Sequence, residues 1–279
     1  MTTHPTVETV GTAAARHRVR VLGDPAGPVL LLVHGFGTDQ HAWDRVLPAL
    51  LDGHRVVLLD QAGAGGFDPA AYDRERYSTL DGYAADLVAV CEELDLHDVV
   101  VVGHSVSSMI AARAALRAPE RFAQVVMVAP SARYTDDAAT GYEGGFSDED
   151  VAELLDSLDH NYLSWTATVA PMLMGNADRP ELGEEFTGAM RQLHPGTARD
   201  FARATFTTDS RELLTRVSTP TVVLQCRDDA LAVDSAVREV AARLPHATLV
   251  ALDASGHCPH VSAPAATAAA VLAHLPGRP

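Results

Sequence analysis

The stretch Val99-Val-Val-Val-Gly-His-Ser-Val-Ser107 decides the fold, because it joins two different hydrophobic patterns. Its uninterrupted β-branched run, residues 99–102, predicts a buried strand. Residues 109–116 combine Ala, Leu and Arg and predict a helix. Ser105 therefore lies on a sharp strand-to-helix corner, which is the setting of a nucleophile elbow.

This corner departs from the G-x-S-x-G pattern at one position, because Ser107 replaces the second glycine. Serine is still small enough to let the strand and the helix approach closely. The alternative interpretation is that Ser105 is the N-cap of an ordinary packed helix. A serine hydroxyl alone is a weak nucleophile, so the catalytic interpretation requires a base and an oxyanion site elsewhere in the chain.

Similar apolar runs recur along the chain, with helical patterns between them. Strands are predicted at residues 29–33, 56–59, 99–102, 125–128, 221–224 and 248–252, with an additional edge strand at 18–22. Further helices are predicted at residues 80–94, 234–244 and 265–275. Uninterrupted apolar strands are typical of a parallel sheet covered on both faces. The alternation of strands and helices predicts an α/β fold with right-handed crossovers.

One region, residues 131–216, breaks this alternation because it contains no convincing buried strand. Its helical stretches are residues 148–159, 162–174, 181–193 and 197–206, punctuated by prolines. We expect a helical lid at 131–216, inserted into one core formed by residues 1–130 and 217–279. The chain has 279 residues, 47% of them hydrophobic, which is enough for such a core.

The charge balance argues against two classes of partner. With 37 acidic and 21 basic residues the formal charge is −16, whereas nucleic acids and anionic membrane surfaces attract basic patches. The N-terminal residues have no apolar segment of the signal-peptide type. No run approaches the roughly 20 apolar residues that span a bilayer. We therefore expect a cytoplasmic protein without nucleic-acid or membrane partners.

The cysteine and histidine pattern does not indicate a disulfide framework or a metal site. The three cysteines, Cys91, Cys226 and Cys258, lie far apart and are odd in number, so buried free thiols are expected. There is no H-E-x-x-H motif, and His and Cys do not group at ligand spacings. We expect neither a metal nor an organic cofactor.

The loop after the first predicted core strand offers an oxyanion site. It reads His34-Gly-Phe-Gly37, and its glycines permit a tight turn with free main-chain amides. The expected donors are the amides of Phe36 and of Val106, the residue after the nucleophile. The alternative is a plain glycine-rich turn in which His34 caps the backbone.

Two further loops offer a carboxylate and a base. Asp228 and Asp229 follow the strand at 221–224, and His257 follows the strand at 248–252. A carboxylate can orient an imidazole, and the pKa of histidine suits proton transfer near neutrality. The alternatives are turn-forming aspartates and a solvated loop histidine. Since ligands bind outside the carboxyl ends of such strands, we interpret the order Ser–Asp–His as a catalytic triad. We take His34, His104 and His260 as structural.

Several motifs together resemble one subfamily of α/β-hydrolases, which contains the bacterial energy-stress regulator RsbQ and the plant strigolactone and karrikin receptors. The resemblance extends from about residue 16 to residue 275. The motifs are His34-Gly-Phe-Gly-Thr-Asp-Gln-His-Ala-Trp43, Gly103-His-Ser-Val-Ser-Ser-Met-Ile110, Gly144-Gly-Phe146, Asn161-Tyr-Leu-Ser-Trp165, Phe201-Ala-Arg-Ala-Thr-Phe206, Leu224-Gln-Cys-Arg-Asp-Asp229 and Gly256-His-Cys-Pro-His-Val-Ser-Ala-Pro264.

The resemblance implies a more specific fold and site. It implies an α/β-hydrolase fold: a mostly parallel sheet of seven to eight strands, flanked by helices, with an inserted lid of four helices. It favours Asp229 over Asp228 as the triad carboxylate. The positions that match the lining of the family's apolar pocket are Phe36, Tyr134, Phe146, Trp165 and Phe206. For each of these aromatic residues the alternative is lid packing without ligand contact.

Two functions are therefore considered. The first is a serine hydrolase that cleaves a small hydrophobic ester or lactone through Ser105, His257, Asp229 and an acyl-enzyme. The second, implied by the resemblance to RsbQ, is a signalling protein. It would sense or slowly hydrolyse a small hydrophobic ligand and activate a partner phosphatase of PAS/PP2C type in a stress response.

Overall fold

The computed structural model describes residues 12–277 of the chain. The first eleven residues, which include most of the segment examined for a signal peptide, and the last two lie outside the described residues. Seven strands form one sheet in the order β1-β3-β2-β4-β5-β6-β7. They are β1 (Arg20–Gly23), β2 (Val29–Val33), β3 (Arg55–Leu59), β4 (Val99–His104), β5 (Phe122–Val128), β6 (Thr221–Arg227) and β7 (Ala247–Ser255).

This sheet is mostly parallel, as predicted. Strands β2 to β7 pair in parallel, whereas the edge strand β1 runs antiparallel to β3. All but one residue of β2 and of β5 are buried, as is every residue of β4 between them, and Leu30, Leu31 and Leu32 of β2 have no exposed area. A side chain on each face of a strand can be buried only if helices cover both faces of the sheet. The α/β prediction is therefore confirmed.

Helices cover the sheet and form the region between β5 and β6. The α-helices within residues 12–277 are α1 (Ala13–Arg16), α2 (Leu47–Leu50), α3 (Leu80–Glu93), α4 (Val106–Arg117), α5 (Asp148–His160), α6 (Tyr162–Met174), α7 (Pro180–Gln192), α8 (Pro195–Phe206), α9 (Arg211–Leu214), α10 (Asp234–Arg243), α11 (Pro259–Ser262) and α12 (Pro264–Ala273). Short 3-10 helices cover Gln40–Trp43, Pro69–Ala71, Arg76–Ser78 and Pro119–Arg121. In this part of the chain no helix is long and apolar enough to cross a membrane. The three cysteines are buried and unpaired.

The helices α5 to α8 lie between β5 and β6, and we call them the four-helix insertion. Local sequence sets their ends: Ser147 and Asp150 form a capping box that begins α5. Helix α6 ends at Gly175, whose φ of 69° is the left-handed conformation that glycine adopts without strain. The limits predicted from sequence, 130/131 and 216/217, fall in the segments that join this insertion to β5 and β6.

The carboxyl ends of the parallel strands bring the candidate residues to one edge of the sheet. Ser105 follows β4, and the loop with Phe36 follows the neighbouring strand β2. On the other side of β4, Tyr134 follows β5 and Asp229 follows β6. His257 follows the edge strand β7. This is the edge at which open α/β sheets bind ligands.

Candidate active site

Ser105 occupies a strained turn between β4 and α4. Its φ of 56° and ψ of −125° lie in a region that non-glycine residues seldom adopt. The turn is held by a hydrogen bond from the Ser105 amide to the carbonyl of Val128, at 2.8 Å. Two residues earlier, a Cβ at Gly103 would lie 2.4 Å from the carbonyl oxygen of Ser107. Glycine is therefore required at 103, as in a nucleophile elbow.

His257 links the serine to a carboxylate. Its Nε2 lies 2.8 Å from Oγ of Ser105, and its Nδ1 lies 2.9 Å from Oδ2 and 3.1 Å from Oδ1 of Asp229. Because a carboxylate only accepts, Nδ1–H donates to Asp229, and Nε2 is left to accept from the serine hydroxyl. The three residues are buried, with Ser105 only 3% and His257 only 2% exposed.

Asp229, and not its neighbour, points to the histidine. Its Oδ1 accepts hydrogen bonds from the amides of Leu231 and Ala232, both at 2.9 Å, which fix the carboxylate. Asp228 has a φ of 51° and is exposed, and its carboxylate accepts a long hydrogen bond from the hydroxyl of Ser255 at 3.5 Å. The structure thus brings together the serine, histidine and aspartate that the sequence analysis selected.

The amides of Phe36 and Val106 are free to bind an oxyanion. Val106 is the first residue of α4, where an amide has no intrahelical acceptor. Within residues 12–277 neither amide donates to a protein acceptor. The Phe36 loop needs small residues, because a Cβ at Gly35 would lie 2.5 Å from Nδ1 of His104, and Gly37 has a φ of 84°. Two free amides, one in the loop after β2 and one directly after Ser105, suit the charge that develops in acyl transfer.

Ser107 has a role that the sequence analysis does not find. Its buried hydroxyl donates to the carbonyl of His34, at the start of the Phe36 loop, and accepts from Nε2 of Gln61 at 3.1 Å. His34 is held in turn: its Nδ1 lies 2.9 Å from the carbonyl of Gly35, and its Nε2 accepts from the amide of Gln61 at 2.9 Å. Burial lowers the pKa of His34, which favours the neutral ring. The hydroxyl at 107 therefore ties α4 to the oxyanion loop.

Aromatic rings from the insertion pack on the oxyanion loop. The ring of Phe36 lies edge-on to Trp165 at 6.2 Å, to Phe201 at 5.8 Å and to Phe206 at 6.4 Å between centroids. Tyr134 packs on Phe206 at 5.0 Å. Four of these residues are predicted from the sequence. Phe201 is not among them, although it begins the motif Phe201-Ala-Arg-Ala-Thr-Phe206. These rings form an apolar cluster around Phe36 of the oxyanion loop.

Phe146 lies at a surface groove next to Trp165 of that ring cluster. It is half-buried and lines a surface groove between α5 and α6, together with Leu154 and Trp165. Its amide donates to the carbonyl of Tyr134 at 3.2 Å. Among the described residues no ring contact joins it to the cluster around Phe36. Its assignment to a pocket stays a prediction.

The rings of His104, His260 and Trp43 form a buried column beside His257. His104 lies 4.9 Å from His257 and 4.4 Å from His260, and His260 lies 4.5 Å from Trp43. Nε2–H of His104 donates to the carbonyl of His257 at 2.8 Å. Burial lowers the pKa of His104 well below its usual range and that of His260 to about 3. Within residues 12–277 these histidines belong to no group of three or more His, Cys, Asp or Glu placed to hold a metal ion.

The chain is similar to known proteins along most of its length. The sequence pattern of the alpha/beta hydrolase family matches residues 30–270. The chain belongs to this family. The chain is 36% identical over 268 residues to a rice protein (Oryza sativa subsp. japonica) named as a probable esterase, covering 95% of this chain and 98% of that protein. It is 36% identical over 259 residues to a strigolactone esterase of Arabidopsis thaliana, covering 92% and 96%.

A protein named as a receptor and a solved hydrolase structure are also similar to the chain. The Petunia hybrida protein named karrikin insensitive 2 receptor CA is 36% identical over 268 residues, covering 95% of this chain and 98% of that protein. A hydrolase from Oleispira antarctica superposes with a TM-score of 0.92 at 33% identity, covering 95% of this chain and 97% of the other. The α/β-hydrolase fold expected from the resemblance is confirmed.

Proposed function

We propose that this protein is a serine hydrolase that cleaves a small hydrophobic ester or lactone through an acyl-enzyme. The observation that carries the proposal is the buried hydrogen-bond chain from Asp229 through His257 to Ser105, with distances of 2.9 and 2.8 Å. A hydrogen-bonded nucleophile, base and orienting carboxylate form the constellation that activates a serine hydroxyl. Membership of the alpha/beta hydrolase family supports hydrolysis as the reaction class.

Each group has one task in this reaction. Ser105 Oγ attacks the carbonyl carbon while Nε2 of His257 takes its proton, and Asp229 stabilises the imidazolium. The carbonyl oxygen becomes an oxyanion between the amides of Phe36 and Val106. His257 then gives the proton to the leaving oxygen, and the acyl group remains on Ser105. Water activated by the same histidine releases the acid and restores the serine.

The surroundings of the nucleophile favour a small apolar substrate. Phe36, Phe206 and Trp165 pack beside the oxyanion loop, and Ser105 is 3% exposed. Apolar walls with a few convergent polar groups are typical of sites for small organic ligands. The names of the relatives, which include probable and strigolactone esterases, favour an ester or lactone carbonyl.

The test is covalent labelling by a sulfonyl fluoride together with hydrolysis of 4-nitrophenyl acetate. The wild-type protein is expected to gain one label and to release 4-nitrophenol. Ser105→Ala is expected to lose both, and intact-protein mass spectrometry measures the label. Turnover or labelling that persists in Ser105→Ala would overturn the assignment of the nucleophile.

A second candidate, ligand sensing, is favoured by one observation. A relative named as a receptor is as similar to this chain as relatives named as esterases, each with 36% identity. The hydrolase and sensing functions use the same triad, so the rate of turnover separates them. A burst of one equivalent of 4-nitrophenol followed by very slow release would favour sensing, with the phosphatase as expected partner. Sustained release of 4-nitrophenol over many turnovers would favour a metabolic hydrolase.

A further inference from the structure

Tyr134 has a buried hydroxyl with no hydrogen-bond partner among residues 12–277. The side chain is only 2% exposed. Two other buried tyrosines place their hydroxyls on acceptors: Tyr162 donates to the carbonyl of Met190 at 2.5 Å, and Tyr77 to Asp86 at 2.8 Å. The buried hydroxyl of Tyr83 has no partner among residues 12–277 either. An unpaired buried hydroxyl is unfavourable for stability, so a native example calls for an explanation.

The Tyr134 hydroxyl belongs to the candidate active site. After burial, which raises the pKa of the Tyr134 phenol, the groups that act most on this pKa are the Ser105 hydroxyl, which lowers it, and the Asp229 carboxylate, which raises it. The tyrosine ring packs on Phe206, which packs on Phe36 of the oxyanion loop. Burial raises the pKa of Tyr134, so its phenol keeps its proton near neutrality and acts as a donor.

The sheet order places this donor on the side where the leaving group departs. The oxyanion loop follows β2, on one side of β4 and Ser105, and two amides already serve the carbonyl oxygen there. Tyr134 follows β5 and Asp229 follows β6, both on the other side. His257, which contacts Asp229, must protonate the leaving oxygen from that side.

We propose that Tyr134 donates a hydrogen bond to the leaving-group oxygen of the ester or lactone during acylation. The proposal rests on the serine hydrolase function above and adds a catalytic residue to it. When the tetrahedral intermediate collapses, the bond between the acyl carbon and the leaving oxygen breaks, and its electron pair goes to that oxygen. His257 supplies the proton, while Tyr134 keeps its own proton and stabilises the growing charge. The benefit therefore increases with the basicity of the leaving group.

The test measures kcat/KM of the wild type and of Tyr134→Phe on a series of substituted phenyl acetates and on ethyl acetate. With 4-nitrophenol, a good leaving group that carries its charge without help, the variant is expected to be less than about 3-fold slower. With phenol and ethanol as leaving groups it is expected to be about 10- to 100-fold slower. The plot of log kcat/KM against leaving-group pKa becomes steeper in the variant.

Tyr162→Phe is the matched control, because it removes a buried tyrosine hydroxyl that is satisfied by a protein acceptor. It is expected to leave the slope of that plot unchanged and to lower the thermal midpoint. Tyr134→Phe is expected to keep or raise the midpoint, since it removes an unpaired hydroxyl. If Tyr134 served folding alone, Tyr134→Phe would lower the thermal midpoint and leave the slope of the plot unchanged.

Two outcomes overturn the Tyr134 proposal: no loss of activity, or the same loss for every leaving group. The second outcome would mean that the hydroxyl serves the carbonyl oxygen or the packing of the site. Ser105→Ala, assayed with the same substrates, separates this failure from that of the proposed function. If Ser105→Ala keeps wild-type activity, both proposals fail, whereas an inactive Ser105→Ala with an unchanged slope in Tyr134→Phe removes only the Tyr134 proposal.

Discussion

The backbone amide of His257 donates a hydrogen bond to the carbonyl of Leu173, in the last turn of α6, at 3.1 Å. The candidate base is therefore attached to the four-helix insertion as well as to Asp229. The contact is close because Gly256 and Gly175 face each other: a Cβ at Gly175 would lie 3.1 Å from Cα of Gly256. The end of α6 and the loop that carries His257 must then move together.

Gly256→Ala tests this attachment. A Cβ at residue 256 would lie 2.0 Å from the carbonyl oxygen of Met174, and the φ of 83° is strained for alanine. The loop must shift away from α6 and carry His257 with it. We expect a loss of about 3 kcal/mol in the free energy of unfolding, from strain and overpacking together. We also expect kcat/KM for 4-nitrophenyl acetate to fall at least about 100-fold, because such sites tolerate little misplacement.

Gly53→Ala is the matched control for that variant. Gly53 has a similar φ of 72°, but apart from its two chain neighbours no atom of residues 12–277 lies within 4 Å of the Cβ that alanine would add. Only the conformational cost of about 1 kcal/mol is expected, with activity unchanged. Urea unfolding and initial rates measure both variants, and equal effects at the two glycines would argue against the attachment.

Asp229→Asn and Asp228→Asn distinguish the two neighbouring aspartates. An amide at 229 can still accept from Leu231 and Ala232, but it would present the wrong partner to Nδ1 of His257. By analogy with serine proteases, kcat is expected to fall about 10⁴-fold. Asn is well suited to the φ of 51° at residue 228, so Asp228→Asn is expected to stay near wild-type activity. The reverse ranking in initial rates would exclude Asp229 as the orienting carboxylate.

Elements with a continuous apolar pattern and clear end signals can be predicted closely from the sequence. The predicted strand 29–33 matches β2, and the predicted helix 162–174 matches α6. Helix α6 begins after Asn161, whose side chain caps the amide of Ser164, and ends at Gly175. Strand β7 is longer than predicted, because half-buried residues at its two ends pair with β6: Ala247 with Thr221, and Ser255 with Arg227.

The candidate active site, too, can be predicted only in part from the sequence. Its residue types and their chain order can be predicted, because each candidate follows a recognisable strand. The choice between Asp228 and Asp229 depends on local backbone conformation, which the residues alone leave open and only the resemblance settles. The hydroxyl of Ser107 and the buried column with His260 depend on contacts between residues far apart in the chain, for which one sequence carries no pattern.

Ser107→Ala tests whether the hydroxyl at 107 holds the oxyanion loop. The change leaves the carbonyl of His34 and Nε2 of Gln61 without their buried partner. We expect a loss of about 1–3 kcal/mol in the free energy of unfolding. We expect a lower kcat as well, because the loop carries the Phe36 amide. Ser78→Ala, which removes an exposed hydroxyl bonded to the carbonyl of Glu75, is expected to change stability by less than about 0.5 kcal/mol. Similar losses in the two variants would contradict this role.

The burial of His260 predicts that the stability of the protein depends on pH. It has no exposed area, and burial, the main cause, lowers its pKa to about 3, below the value of about 6.5 in the unfolded chain. Below pH 6.5 the His260 ring therefore binds a proton in the unfolded state but not in the folded state, so the free energy of unfolding falls as the pH falls. From pH 8 to pH 5 this histidine is expected to account for about 2 kcal/mol of lost stability.

His260→Phe keeps an aromatic ring between Trp43 and His104 and removes the titrating group. Urea unfolding of both proteins at pH 8 and at pH 5 measures the difference. The wild type is expected to lose about 2 kcal/mol more than the variant between these pH values. At pH 8 the variant is expected to match or exceed the wild type, because both ring nitrogens of His260 lack partners among residues 12–277. Equal losses of stability in the wild type and in the variant on acidification would contradict this prediction, because they would mean that His260 is protonated in the folded protein. A fully buried ring between two other rings cannot be protonated without local opening of the structure.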